Sequence, residues 1–378
     1  MKTPPPLLEL LGACWTYGTP VVALAWNADA TSVAFAQGDG HLALVDAQWP
    51  RGPRLALRAE GGVEVVPAEV PAHRPLRAAC HQGSSLCVAH DGEGGFVSGG
   101  DDGRLVQVPK AGNPKVLATV PGAWIDALVS SRSGTLAYAV GRQLNRRSAA
   151  GTSQIDLPAP ALALAFSPDG QCLAAAHSDG VTLWPAQGPT RRLAWRGYHR
   201  NLAWSPDGVY LVTGMQENAL HGWRVADGGD IEMGGYPGQP LSLSFAHDGQ
   251  FLATSGGMRP VCWGFDPPGQ AGQPVECGIP SRTPVSCVSC HPRQNLLAAG
   301  YINGAVLLCR PGSDEGLFIK GAGGGAVTGL AWSGDGAKLA LGTQDGVLAW
   351  IGLPDALFAA RAAPSAPAKS LPTEKVRP

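Results

Sequence analysis

The stretch Ala161-LALAFSPDGQCLAAAHSDGVTLW-Pro185 decides the fold. It contains three short runs of alternating apolar residues, separated by a Ser-Pro-Asp-Gly turn and an Asp-Gly turn and closed by Trp184. Period-two alternation marks a strand with one face buried. Asp-Gly between two such runs marks a tight hairpin, because glycine supplies the positive φ that the turn requires. Three antiparallel strands joined by two turns follow from this stretch alone.

Working outward, the same pattern recurs in Asn201-LAWSPDGVYLVTGMQENALHGW-Arg224, Leu241-SLSFAHDGQFLATSGGMRPVCW-Gly264 and Val327-TGLAWSGDGAKLALGTQDGVLAW-Ile351. Weaker copies begin near Val21, Ser85, Ile125 and Val285, which makes eight units. Their first-turn positions, Asp29, Asp91, Ser133, Asp169, Asp207, Asp248, Arg293 and Asp335, fall about 40 residues apart, the spacing of a repeat architecture. Only the first interval is long, and residues 47–75 are read as an insertion. A fourth strand fits between units, at 75–80, 115–120, 153–157, 192–196, 231–235, 275–279 and 317–321. None remains after the eighth unit, so the apolar segment 8–15 is expected to supply it and close the ring, removing open sheet edges.

The Ser-Pro-Asp-Gly turns, the second turns at Asp39, Asp102, Asp179 and Asp345, and Trp184, Trp223, Trp263 and Trp350 closing the third run together resemble the WD40 repeat family. The resemblance spans about 8–353 and implies an all-β WD40-type β-propeller, of eight blades by this count. The family's more common seven would follow if the degenerate third unit, 125–147, merged with a neighbour. No Trp-Asp dipeptide is present and Gly-His is almost absent before the first strands. The family's internal Asp-His hydrogen-bond network is therefore expected to be missing in most blades. Residues 215–224 and 124–129 are also similar to segments of bacterial WD40 repeat proteins, a likeness that implies no activity. Residues 1–7 are read as an N-terminal arm. Residues 354–378, rich in Pro, Ala, Lys and Ser, are read as a disordered tail.

Composition agrees with a turn-rich, strand-based chain, since 52 Gly and 33 Pro accompany only 15% charged residues. Twenty-eight basic and 29 acidic side chains leave a formal charge of -1, so no global field draws nucleic acid or an anionic membrane. Nine cysteines without paired spacing point to reduced thiols and a cytoplasmic protein. Leu11-Gly-Ala-Cys14 resembles a lipoprotein cleavage site, but the apolar run before it is short and is interrupted by Glu9, which argues against export.

Several motifs carry chemistry in other settings. Cys287-Val-Ser-Cys290-His291 matches c-type haem attachment, yet two cysteines three apart on a strand face opposite ways, and Cys290 stands where other units place Trp26, Phe166, Trp204, Phe245 and Trp332. Cys80, His81, Cys87 and His90 have the residue types of a zinc site, but they divide between a strand and the connection before it. Ser98-Gly-Gly-Asp-Asp-Gly103 opens a hairpin rather than the helix a phosphate loop needs. No Gly-x-Ser-x-Gly elbow or His-Glu-x-x-His occurs. The expectation is a chain that is not an enzyme, with no cofactor and no metal.

In a WD40 blade, the connections into the first strand and those between the second and third strands emerge on one face. Here that face would carry Trp15, Tyr17, Trp124, Asp126, Tyr198, His199, Arg200, Tyr236 and Arg282 on the approaches. Gln216, Glu217, Asn218, Met258 and Arg259 would occupy second turns. Trp, Tyr, Met and Arg are enriched in recognition surfaces. These residues are therefore the expected contacts for a protein or peptide partner. Neither nucleic acid nor membrane is expected as a partner, and the oligomeric state is left open. Two other readings stand beside this one: a hydrolase with its site at the channel mouth, and a metal-handling protein using the cysteines and histidines.

Overall fold

Val21–Trp26, Ser32–Gln37, His41–Asp46 and Leu76–Ala79 pair in that order as an antiparallel meander. The pattern repeats along the computed structural model, which describes residues 5–57, 63–265 and 272–354. The protein is an all-β propeller, and the fourth strands fall close to where the sequence placed them.

The strands assemble into seven radial sheets, so the expectation of eight separate blades is corrected to seven, one of them double. The third unit stands alone as Ala127–Ser130 to Gly151–Asp156. The fourth and fifth units are the ones that merge. Arg191–Trp204 runs unbroken, its first half paired with Cys172–Pro185 and its second half with Tyr210–Met215, and this joins both units in one six-stranded sheet. Cys172–Pro185 doubles back at Asp179, whose φ is +62°, so that the Ala186 N–H reaches the Gln171 carbonyl at 2.6 Å. Each merged unit thus keeps its own strands.

The N-terminal segment also differs from the expected strand over 8–15. Leu7–Leu11 is a short helix, and only Gly12–Thr16 is a strand, paired antiparallel with Val347–Gly352. Leucines at 7, 8, 10 and 11 suit a helix that buries one side, and Leu8 and Leu11 enter a core with Ile319, Leu341 and Ile351. The insertion after Asp46 forms a hairpin, Arg54–Leu57 with Val63–Val66. Trp49 anchors it, edge-on to Trp350 at 6.2 Å and donating through Nε1 to the Val70 carbonyl at 2.9 Å. The sequence-predicted tail lies outside the described residues, apart from Pro354.

Packing between sheets explains the small residues of the second strands. Ser32–Gln37 and Tyr210–Met215 are buried along their whole length, and Ala34, Ala36, Ala174, Ala175, Ala176, Ala298 and Ala299 let neighbouring blades close on one another. At Gly99, Gly300 and Gly342 even one extra carbon would collide with Ile125, Val327 and Val21, which stand at or just before the start of the next unit's first, inner strand.

The Ser-Pro-Asp-Gly turns are held by their own side chains. Asp207 accepts from Ser205 Oγ (2.5 Å) and from the Val209 N–H (3.0 Å), while Ser205 Oγ accepts from the Tyr210 N–H (2.8 Å). Ser167 with Asp169 and Ser333 with Asp335 repeat the arrangement. The Ser167 hydroxyl and the Gln171 N–H stabilise the Asp169 carboxylate and lower its pKa against a small opposing cost of burial.

Candidate functional face

Antiparallel alternation brings the approaches to the inner strands and the second turns to the same edge of every sheet. Backbone bonds tie them in pairs: Gln216 N–H to Tyr198 O (2.9 Å), Ile302 N–H to Pro284 O (3.1 Å) and Gln344 N–H to Ala326 O (2.8 Å). On this face Trp124 is 63% exposed, Tyr198 52% and Met258 44%, with Asp126, Arg200, Arg282, Gln216, Glu217 and Asn218 also exposed. Asn218 holds the second turn with φ +57°, and a Glu217 carboxylate oxygen accepts the Tyr198 N–H at 3.2 Å. Beside them, Trp195, Arg196, Gly197 and Glu217 line a shallow cleft of about 360 Å³.

Other residues expected on this face are placed elsewhere. His199 is fully buried, with Nδ1 against Thr213 Oγ1 (2.7 Å) and Nε2 against the Trp195 carbonyl (2.9 Å), and burial pushes its pKa down. Tyr236 is buried, its hydroxyl meeting Thr254 Oγ1 at 2.6 Å and accepting the Trp263 indole N–H. Both are corrected to interior residues, since each closes a polar network beneath the face. Arg259 is largely covered and is held by Asp314, the Gly278 carbonyl (2.5 Å) and the Cys277 carbonyl (3.3 Å). Tyr17 is half-buried under the Arg77 guanidinium, 5.0 Å from its ring. Trp15 lies in the outermost strand on the flank, where it lines a cleft of about 470 Å³ with Cys14, Trp49 and residues 68–72. The sequence could not show this cleft, because it joins the N-terminal strand to the insertion.

The opposite end of the channel is more concave than the repeated turns suggested. Five consecutive units, the third to the seventh, contribute to a cleft of about 550 Å³ with Phe166, Trp204 and Phe245 in its wall and Arg132 and His247 among its polar residues. Its hydroxyls at Ser131 and Ser167 are engaged in turn hydrogen bonds.

The cysteine and histidine motifs resolve into separate contacts. The second unit has an Asp-His network, in keeping with an expectation that left it missing only in most blades. His81 Nδ1 lies 2.9 Å from Asp102 Oδ1 and His81 Nε2 lies 3.0 Å from Ser98 Oγ. Cys80 turns to the Ala78 carbonyl and Cys87 to that of Ile125. Cys287 faces Val327 in the next unit and Cys290 faces Ser244 in the preceding one, opposite ways as strand geometry requires. Among the described residues no group of three or more His, Cys, Asp or Glu side chains is placed to hold a metal ion, and no helix is long and apolar enough to cross a membrane.

No protein-family model matches the chain. A search of curated proteins gives no match. Among solved structures, the crystal structure of the computationally designed Ika8 protein superposes with a TM-score of 0.68 at 15% identity, covering 91% of this chain and 99% of that one. At that identity the likeness carries the propeller fold alone.

Proposed function

We propose that this chain is a non-catalytic, WD40-type scaffold that binds a protein or peptide partner across the face built from the inner-strand approaches and second turns. The observation that carries this reading is the exposure of Trp124, Tyr198 and Met258 on one rigid face, with Arg200 and Arg282 exposed among them. Large side chains left in water at loop positions contribute little to the fold, yet they are the residue types that dominate binding energy once a partner desolvates them. The near-neutral charge supports a protein or peptide over nucleic acid or membrane. The unpaired cysteines support residence in the cytoplasm.

Affinity capture with the full chain, followed by identification of bound proteins by mass spectrometry, tests the reading. The double variant Trp124→Ala with Arg200→Ala is expected to lose the captured partner by at least about tenfold in affinity, the scale of one or two hot-spot residues. Full retention of the partner by a variant that unfolds at the wild-type temperature would sink the assignment.

A further inference from the structure

We infer that Cys262 and Cys277 form a dithiol that hydrogen peroxide oxidises to a reversible disulfide. Cys262 lies in Val261–Gly264, and Cys277 directly follows its partner strand Pro274–Glu276. The register pairs Cys262 with Val275 and carries the Cys277 N–H to the Pro260 carbonyl at 2.9 Å, so the two side chains meet diagonally across the strand pair. Their sulfurs are 3.3 Å apart. A disulfide requires about 2.05 Å, a closure of little more than 1 Å.

The two thiols have different surroundings. The Gly312 N–H donates to Cys277 Sγ at 3.2 Å, and the Arg259 guanidinium, fixed on the Cys277 and Gly278 carbonyls and paired with Asp314 and Glu276, lies nearby. Contact with Cys262, the Gly312 N–H and Arg259 lower the pKa of the Cys277 thiol against the opposing cost of burial, whereas burial pushes Cys87, Cys287, Cys290 and Cys309 up to about 12. Cys262 is shifted upward by its contact with Cys277 and by burial. The Gly312 N–H donated to Cys277 Sγ favours the thiolate there, which makes Cys277 the attacking sulfur and Cys262 the resolving one.

In the first step the Cys277 thiolate attacks one peroxide oxygen. An S–O bond forms, the O–O bond breaks, and the departing hydroxide takes up a proton to become water, leaving Cys277 as the sulfenic acid. The Cys262 sulfur then attacks the Cys277 sulfur. An S–S bond forms, the S–O bond breaks, and the second hydroxide leaves as water with the proton of Cys262. Two thiols and one peroxide give one disulfide and two waters. Both residues are fully buried, which selects a small oxidant over a bulky disulfide. Transient disulfides of this kind are compatible with a reducing compartment.

The test treats the full reduced chain with hydrogen peroxide, blocks remaining thiols with N-ethylmaleimide, and digests it without reductant for mass spectrometry. A peptide linked through Cys262 and Cys277, released by dithiothreitol and formed about tenfold or more faster than any product at Cys309, is expected. In Cys262→Ser the sulfenic acid should persist on Cys277 and be trapped by dimedone, and in Cys277→Ser Cys262 should stay reduced. If both cysteines remain open to alkylation in the unfolded digest at peroxide levels that oxidise the exposed Cys14, or if Cys277 links to Cys309 instead, the proposal is overturned. The wild-type arm decides the matter even if a variant fails to fold.

Discussion

The indole Nε1 of Trp26 donates to the carbonyl of Ala331 across 2.9 Å, joining the first repeat unit to the last. The same bond recurs around the channel, from Trp204 to Ala165 (3.2 Å) and from Trp332 to Ser289 (3.1 Å), and the Cys290 sulfur lies 3.2 Å from the Ser244 carbonyl. In every case the acceptor immediately precedes the equivalent position of the preceding unit. Trp26→Phe keeps most of the packing and loses the bond, and it is expected to cost about 1 kcal/mol in urea denaturation, against about 3–5 kcal/mol for Trp26→Ala. Equal stability of Trp26→Phe and wild type would show that the bond contributes nothing.

A second prediction concerns Tyr236. Its hydroxyl satisfies both Thr254 and the Trp263 indole in a buried site. Tyr236→Phe leaves these groups without that partner and should destabilise the fold by about 1–3 kcal/mol. Partner capture by the folded variant should be unchanged, because Tyr236 lies beneath the face. A loss of capture without a loss of stability would return Tyr236 to the binding surface.

His221 sets an acid limit. Its ring stacks on Trp195 at 3.8 Å between centroids and meets Trp223 edge-on, and neither ring nitrogen has a hydrogen-bond partner among the described residues. Burial brings its pKa down to about 4. The folded value lies below the ordinary value of about 6.5, so the unfolded chain binds more protons across that window, and stability falls as pH drops from about 6.5 toward 4. His221→Phe should flatten this slope, and His177 and His199, whose values are also lowered, would supply what remains. An identical slope in denaturation midpoints from pH 7 to 4.5 would contradict this account.

The glycine seams between blades can be tested as a pair. A Cβ on Gly300 would lie 2.6 Å from Val327 Cγ1, so Gly300→Ala should cost about 1–3 kcal/mol by overpacking. Val327→Ala removes the nearest colliding atom and relieves the clash in part, leaving Val327 Cβ (2.7 Å) and Cys287 Sγ (2.8 Å) close to the new methyl. In a double-mutant cycle the combined variant should be less destabilised than the sum of the two single variants by about 0.5–3 kcal/mol. Strict additivity would mean that the seam is looser than the structure indicates.

Much of the fold could be read locally. Asp207 and Gly208 specify their turn through bonds to residues within five positions, and the β-favouring run Tyr210-Leu-Val-Thr213 after it suits a strand buried on both faces. The face was legible in part, because the second turns carry unusual residues at 216–218 and at Met258. The helix at Leu7–Leu11 was not legible, since four leucines around Glu9 fit either period until Ile319 and Leu341 settle which side is buried.

The strands, their turns and the repeat follow from local sequence, because they depend on φ preferences and side-chain bonds a few residues long. Packing between distant segments sets the rest. His199 and Trp124 both stand on approaches to inner strands. Only the packing of Thr213 and Trp195 around the first, and the lack of cover over the second, makes one an interior residue and the other a surface one. The merged fourth and fifth units and the meeting of Cys262 with Cys277 are likewise set by distances between strands, which a chain acquires only when its sheets have closed on one another.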